Sequence, residues 1–211
     1  MEKQILCNKC NPQKNEPYAG NCSRRSFITN RAGGALGLLM FPGLLHSISI
    51  PEQITKSKEE VYQQLDELVD KYYPLYGTCS QTSFHVLNEV FGLKSENVIK
   101  GLVSFPGIGL RGETCGAVSG CLLAIGLAYE EEQFDEGRNS REPSFKFCAE
   151  FEKEYGSTRC RDVIEKVTGE KYTVEKHEDY EKMYEEGVFN LCTVPIKKAV
   201  RMAAGIILEK V

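Results

Sequence analysis

From Ser57 onward, apolar residues return along the chain at helical intervals. Val61, Leu65, Leu68, Val69 and Tyr72 follow one another at helical spacing, and Ser57 and Glu60 are spaced as a capping box at the start. Pro74 and Gly77 are placed to end this helix. A second helix is predicted from Cys79 to Phe91, with Phe84, Leu87 and Phe91 on one face and Gly92 closing it. A short third follows Ser95 through Val98, Ile99 and Leu102. The pattern then breaks into a glycine-rich loop, Pro106-Gly107-Ile108-Gly109-Leu110-Arg111-Gly112-Glu113-Thr114, which leads into Cys115-Gly116-Ala117-Val118-Ser119-Gly120. From there to Tyr129 the run is apolar almost all round, which predicts a central helix with no face left for water. Gly116, Gly120, Ala124 and Ala128 recur every four residues, so one face of that helix is small enough for another backbone to approach closely.

Glu130 to Pro143 is a charged loop. Further helices are predicted around Phe145–Tyr155, Thr158–Val167 and Thr193–Glu209, and Lys171–Glu175 is the only short strand candidate. The pattern therefore predicts an all-α fold: a compact single-domain helical bundle with a glycine-rich loop before a central buried helix, and no internal repeat. A chain of 211 residues has room for one such domain and one targeting segment.

The first fifty residues have a different character. They carry six Lys/Arg against two Asp/Glu, whereas the rest carries twenty against twenty-eight. Ser23-Arg24-Arg25-Ser26-Phe27-Ile28 resembles the twin-arginine export motif, and a glycine-rich apolar stretch, Ala32 to Phe41, follows it. Pro42 and Gly43 interrupt that stretch, and it falls short of the ~20 apolar residues of a membrane span. No Ala-x-Ala cleavage site follows, so membrane anchoring through an uncleaved signal stays open. The division expected is 1–50 as signal and 51–211 as a cysteine-containing helical redox domain. The location expected is the periplasm or the outer face of the cytoplasmic membrane. The acidic body excludes nucleic acid as a partner, since phosphate binding needs clustered Lys and Arg.

Nine cysteines change the picture more than any other residue type. Cys7, Cys10 and Cys22 belong to the front segment, and Cys7-Asn8-Lys9-Cys10 has no second pair at ligand spacing and no His after it for haem attachment. Six lie in the body: Cys79, Cys115, Cys121, Cys148, Cys160 and Cys192. In an oxidising compartment such cysteines are paired, metal-bound or catalytic. Cys121, round the helix from Cys115, and Cys148, on a predicted apolar face with Phe145 and Phe151, read as packed residues. A Cys148–Cys160 or Cys121–Cys148 disulfide is the rival reading. His85 and His177 are the only body histidines, and His85 is a lesser candidate for the site. No Ser-His-Asp set, phosphate loop or dinucleotide fingerprint occurs, so no independent catalytic motif marks an enzyme, and a part as an oxidoreductase component stays open.

One cysteine at a helix start, a glycine-rich approach to a Cys-Gly-Ala-x-x-Gly element and two separated cysteines together resemble the redox-active protein family named for its C…GCAxxG…C…C pattern. The matching residues are Cys79, Cys115 with Gly112, Gly116 and Gly120, then Cys160 and Cys192. The chain departs from the family's name in reading Cys115-Gly116 where that name writes Gly before Cys. The resemblance implies redox activity beside transporter or oxidoreductase partners. A similar domain in split-Soret cytochromes is associated with an iron–sulfur cluster. Without Cys-x-x-Cys-His, no haem is carried over.

The residue chemistry agrees. Four thiolates from four segments suit an iron–sulfur cluster, [2Fe–2S] expected ahead of [4Fe–4S], and tetrahedral sulfur also suits zinc. Cys115, where the loop enters a helix, is favoured as a thiolate by the helix dipole and free amides. Gly112, Gly116 and Gly120 would let backbone N–H groups approach cluster sulfurs, and Arg111 and Glu113 flank the loop. Three functions remain: an electron-transfer or redox-accessory protein with a cluster on Cys79, Cys115, Cys160 and Cys192; a thiol–disulfide protein attacking through Cys115; and a non-catalytic, zinc- or disulfide-stabilised subunit of a membrane oxidoreductase. A redox protein is the expected partner in each active reading.

Overall fold

A computed structural model describes residues 56–93, 96–129, 140–172, 174 and 176–210. The paired arginines, Cys7, Cys10, Cys22 and most of the charged loop after Tyr129 lie outside the described residues.

The described residues form an all-α fold. Its elements are α1 (Lys58–Tyr76), α2 (Cys79–Phe91), α3 (Glu96–Gly101) running into a 3-10 turn (Leu102–Ser104), the single turn α4 (Gly107–Leu110), α5 (Gly116–Ala128), α6 (Arg141–Tyr155), α7 (Cys160–Thr168), α8 (His177–Glu185), a 3-10 turn (Val188–Cys192) and α9 (Thr193–Leu208). The capping box holds: Ser57 accepts from the Glu60 amide, and Glu60 accepts from the Ser57 amide at 2.7 Å. Pro74 does not end α1. The helix runs two residues past it and stops at Gly77, whose left-handed backbone (φ 64°) turns its N–H onto the Tyr73 carbonyl.

Helix α5 is central, and α2 packs along it more extensively than any other pair of elements. The small-residue face explains the closeness. A Cβ on Gly120 would lie 2.5 Å from the Ser80 carbonyl oxygen and 3.1 Å from the Phe84 amide. Helices α1 and α9 pack on this pair, and α6 closes the bundle against α5 and α9. The core joins Val61, Leu65, Phe84, Leu87, Ile125, Phe147, Phe151 and Ile196, all with no exposed surface.

Two expectations are corrected, and one helix is added. Lys171, Tyr172 and Val174 form no strand, and among the described residues the only β-type pairing is an isolated bridge between Thr114 and Arg159. Phe145 does not face the core but stands 71% exposed, because the buried stripe of α6 is Phe147, Phe151 and Tyr155. Helix α8 was not foreseen: Tyr180, Met183 and Tyr184 fall at helical spacing, but five of its nine residues are charged and only Met183 is buried. Met183 joins Ile164 and Val188 in a second, smaller core beneath α7 and α8.

Candidate functional site

Each of the four cysteines expected at the site stands at the start of a helix. Cys79 and Cys160 are the first residues of α2 and α7, and Cys115 and Cys192 are the N-caps of α5 and α9. The four line one pocket, together with Val163, Ile164, Val167, Val188, Leu191 and Pro195. The fold thus collects sulfur from four segments spread over 114 positions of the chain, at the seam between the main bundle and the smaller core.

Backbone pairing sets two of them side by side. The Cys115 amide donates to the Thr158 carbonyl (2.8 Å), and the Cys160 amide donates to the Glu113 carbonyl (2.6 Å). Arg161 strengthens the clasp, its amide reaching the Gly112 carbonyl (3.2 Å) and its guanidinium the Glu113 carboxylate (2.5 Å). Cys79 is fixed by α2, where Ser80 donates to the Leu102 carbonyl (2.7 Å) and Gln81 to the Ile99 carbonyl (3.0 Å). These buried polar contacts tie α3 and the following loop to the site. Gly116 makes the approach possible, since a Cβ there would overlap the Cys79 sulfur.

The sulfurs are not equivalent. The Cys79 thiol donates to the Cys115 sulfur, and the Ala117 and Val118 amides donate to it as well, so Cys115 is held below the ordinary thiol range against the opposing effect of burial. That same hydrogen bond, followed by burial, pushes Cys79 well above it. Burial first, then the charge at Cys115, raises Cys160 strongly and pushes Cys192 up to about 12. The pocket therefore holds one thiol disposed to ionise and three that resist ionising beside it. Tyr73, also buried, lies beside Cys192 and donates its hydroxyl to the Phe189 carbonyl at 2.6 Å.

The remaining candidates fall elsewhere. Gly112 is a left-handed turn (φ 70°) backed by Arg161, and Gly120 packs on α2. His85 sits between Tyr72 and Tyr76, at ring-centroid distances of 4.2 and 5.4 Å, with Glu89 at 3.4 Å, and does not line the pocket. His177 is exposed beside Glu181. Cys121 is fully buried and Cys148 half-buried, and all six body cysteines are free thiols. Sequence reasoning missed Tyr73 and Gly107. Tyr73 continues the four-residue spacing Val61, Leu65, Val69, which was the legible signal for it. Gly107 passes the loop behind Cys160, where a Cβ would meet the Cys160 side chain at 3.6 Å and the Gly112 amide at 3.0 Å.

By kind of donor, the pocket suits a thiolate-ligated metal or iron–sulfur group: four sulfurs, no carboxylate or imidazole, apolar walls and a glycine where a side chain would crowd Cys79. As the side chains stand, no three His, Cys, Asp or Glu among the described residues are gathered closely enough to hold a metal ion. The space between them is about 20 Å³ of room for a water's centre, enough for one water rather than a larger group.

Fold and site define a class: an all-helical domain with its cysteines gathered at helix starts around one apolar pocket. The chain belongs to the family described as putative redox-active protein (C_GCAxxG_C_C), whose model matches residues 77–206. No curated protein and no solved structure matches the chain.

Proposed function

We propose that this protein is an exported electron-transfer or redox-accessory protein whose Cys79, Cys115, Cys160 and Cys192 hold an iron–sulfur cluster, [2Fe–2S] ahead of [4Fe–4S]. The observation that carries this reading is the convergence of four cysteines, from four helix starts, on one apolar pocket. A dithiol needs two sulfurs, and a cluster takes four. The cluster would supply one-electron chemistry. The chain's residues would supply the ligands, the Ala117 and Val118 amides aimed at Cys115, and walls that keep water from the sulfurs. Zinc on the same ligands, in a non-catalytic subunit of a membrane oxidoreductase, is the alternative occupant. Export rests on Arg24, Arg25 and the apolar stretch after them, and places the protein in the periplasm or on the outer face of the cytoplasmic membrane.

A second reading is favoured by the Cys79–Cys115 hydrogen bond. In it the Cys115 thiolate attacks one sulfur of a substrate disulfide and releases the other as a thiolate. Cys79, on losing its proton, then displaces the first sulfur, leaving a Cys79–Cys115 disulfide and two substrate thiols. Two electrons pass to the substrate.

The test is a visible spectrum with iron, zinc and sulfide assays on protein purified without oxygen. Brown protein whose iron and sulfide are both lost in Cys115→Ser is expected. Metal-free protein whose thiol count falls by two on oxidation would replace the cluster with the dithiol. Zinc without sulfide would leave the structural reading.

A further inference from the structure

Four of the large apolar side chains that stand exposed fall in one short stretch: Val103 (55%), Phe105 (43%), Ile108 (45%) and Leu110 (43%). They occupy the loop that carries the chain from α3 to Cys115. Ile108 (φ 48°) and Leu110 (φ 63°) are also the only non-glycine residues with left-handed backbone among those described. In an exposed turn such positions are ordinarily filled by Gly, Asn or Asp, which relieve the backbone and suit water. Here each carries a large apolar side chain, unfavourable on both counts, so something other than local stability keeps them.

The loop is held in this shape. Ile108 donates to the Phe105 carbonyl (3.0 Å), Leu110 to Pro106 (2.9 Å), and Arg111 and Glu113 both to Gly107 (3.1 Å each). What would cover the tip is indicated by charge. From Val98 to Arg111 the sequence contains Lys100 and Arg111 and no Asp or Glu, on a protein whose net charge is −4. Neither cation has an ion pair among the described residues. Two carboxylates flank this stretch: Glu96 stands four residues before Lys100, and Glu113, two residues after Arg111, is already engaged by Arg159 (3.6 Å) and Arg161 (2.5 Å). The fitting surface is apolar inside and anionic at its edge, and the side chains that meet it stand on a tight turn rather than in a groove.

We propose that this loop is a membrane-contact element: Val103, Phe105, Ile108 and Leu110 enter the acyl boundary of an anionic lipid surface while Lys100 and Arg111 meet its headgroups. Contact of this kind brings the outer wall of the cysteine pocket to the bilayer, because Gly107 and Pro106 back onto Cys160 and Gly116. It does not depend on the occupant of that pocket.

The chain has no tryptophan, so Phe105→Trp in the full chain places a single reporter at the tip. With vesicles of phosphatidylglycerol carrying brominated acyl chains, its emission is expected to shift to the blue and be quenched, and weakly or not at all with brominated phosphatidylcholine. Lys100→Glu with Arg111→Glu is expected to weaken the response by at least about fivefold for each cation removed. The readout reports the loop itself, so lipid binding by residues 1–50 leaves it unmoved. Val103→Trp, at a more exposed position, serves if Phe105→Trp loses its helical circular dichroism. Unshifted, unquenched emission from both reporters, with the protein sedimenting on the vesicles or not, overturns the proposal and leaves a protein partner as the loop's occupant. Equal quenching by both lipids overturns the role of the two cations.

Discussion

Three glycines of α5 provide an internal comparison. Gly116→Ala, Gly120→Ala and Gly126→Ala each add one methyl to the same helix, and each gains up to about 1 kcal/mol of helix propensity. Their surroundings differ. Nothing lies within 4 Å of a Cβ at Gly126, so that variant should be stabilised by roughly 0.5–1 kcal/mol. At Gly120 the methyl meets the Ser80 carbonyl oxygen at 2.5 Å and Ser83 Cβ at 3.0 Å, backbone and a short side chain that cannot swing aside. At Gly116 it overlaps the Cys79 sulfur and lies 2.9 Å from the Ser80 amide and 3.2 Å from Pro106 Cα. Overpacking of this kind costs about 1–3 kcal/mol, which after the propensity gain leaves both variants roughly 0–2 kcal/mol less stable than the parent. Both should fall about 1–3 kcal/mol below Gly126→Ala by urea unfolding of the reduced, metal-free protein, followed by circular dichroism. Only Gly116→Ala should also disturb the sulfurs, releasing the Cys79–Cys115 contact and slowing alkylation of Cys115 at neutral pH. A Gly116→Ala protein as stable as Gly126→Ala, with Cys115 reactivity unchanged, would refute the claim that this glycine exists to let Cys79 in.

In the metal-free reduced protein, thiolate absorbance should begin to rise below the ordinary thiol range, and Cys115→Ser should remove that first step while leaving the later ones. Tyr73→Phe leaves the part-buried Phe189 carbonyl without this donor, so urea unfolding should show a loss of about 0.5–1.5 kcal/mol. It also removes the hydroxyl beside Cys192, whose alkylation should then need higher pH. His85 is held below its ordinary value of 6.5, by burial first and by Lys71, with Glu89 opposing. The unfolded chain therefore takes up this proton first, and stability should decline as pH falls below 6.5 toward the folded value, with nothing from this group lost above it. His85→Gln should flatten that part of a stability-against-pH curve, and an unchanged curve would assign the slope elsewhere.

The family is described as redox-active, and the arrangement of these cysteines shows how one fold treats four identical groups differently. Every one is at a helix start, where the dipole favours a thiolate, yet three are pushed the other way: Cys79 by its hydrogen bond to Cys115 and then by burial, Cys160 and Cys192 by burial and then by the charge at Cys115. Cys115 alone receives donors enough to reverse the balance.

Much of this was legible without coordinates. Alternation and period determine where helices begin and end, because a helix's buried stripe and its caps are local properties: the Ser57–Glu60 box, Gly92 after α2 and the all-round apolar α5 follow from spacing alone. The cysteines to watch were marked by the resemblance to the family's cysteine pattern, and only Cys79 and Cys115 also by their places at predicted helix starts. Where local signals were weak or shared, packing decided. Phe145 and Phe147 are both apolar, and only the direction from which α5 and α9 meet α6 selects Phe147 for the core. Helix α8 is dominated by charged residues and is held through Met183 against Val188, just beyond its end, and Ile164 of α7. That Cys79, Cys115, Cys160 and Cys192 share one pocket while Cys121 and Cys148 do not is likewise a tertiary fact. Sequence spacing states which residues a helix can bring to one face, but the meeting of four helix ends depends on how whole helices cross, and that is settled by close contacts such as Gly116 against Cys79 and Gly120 against Ser80.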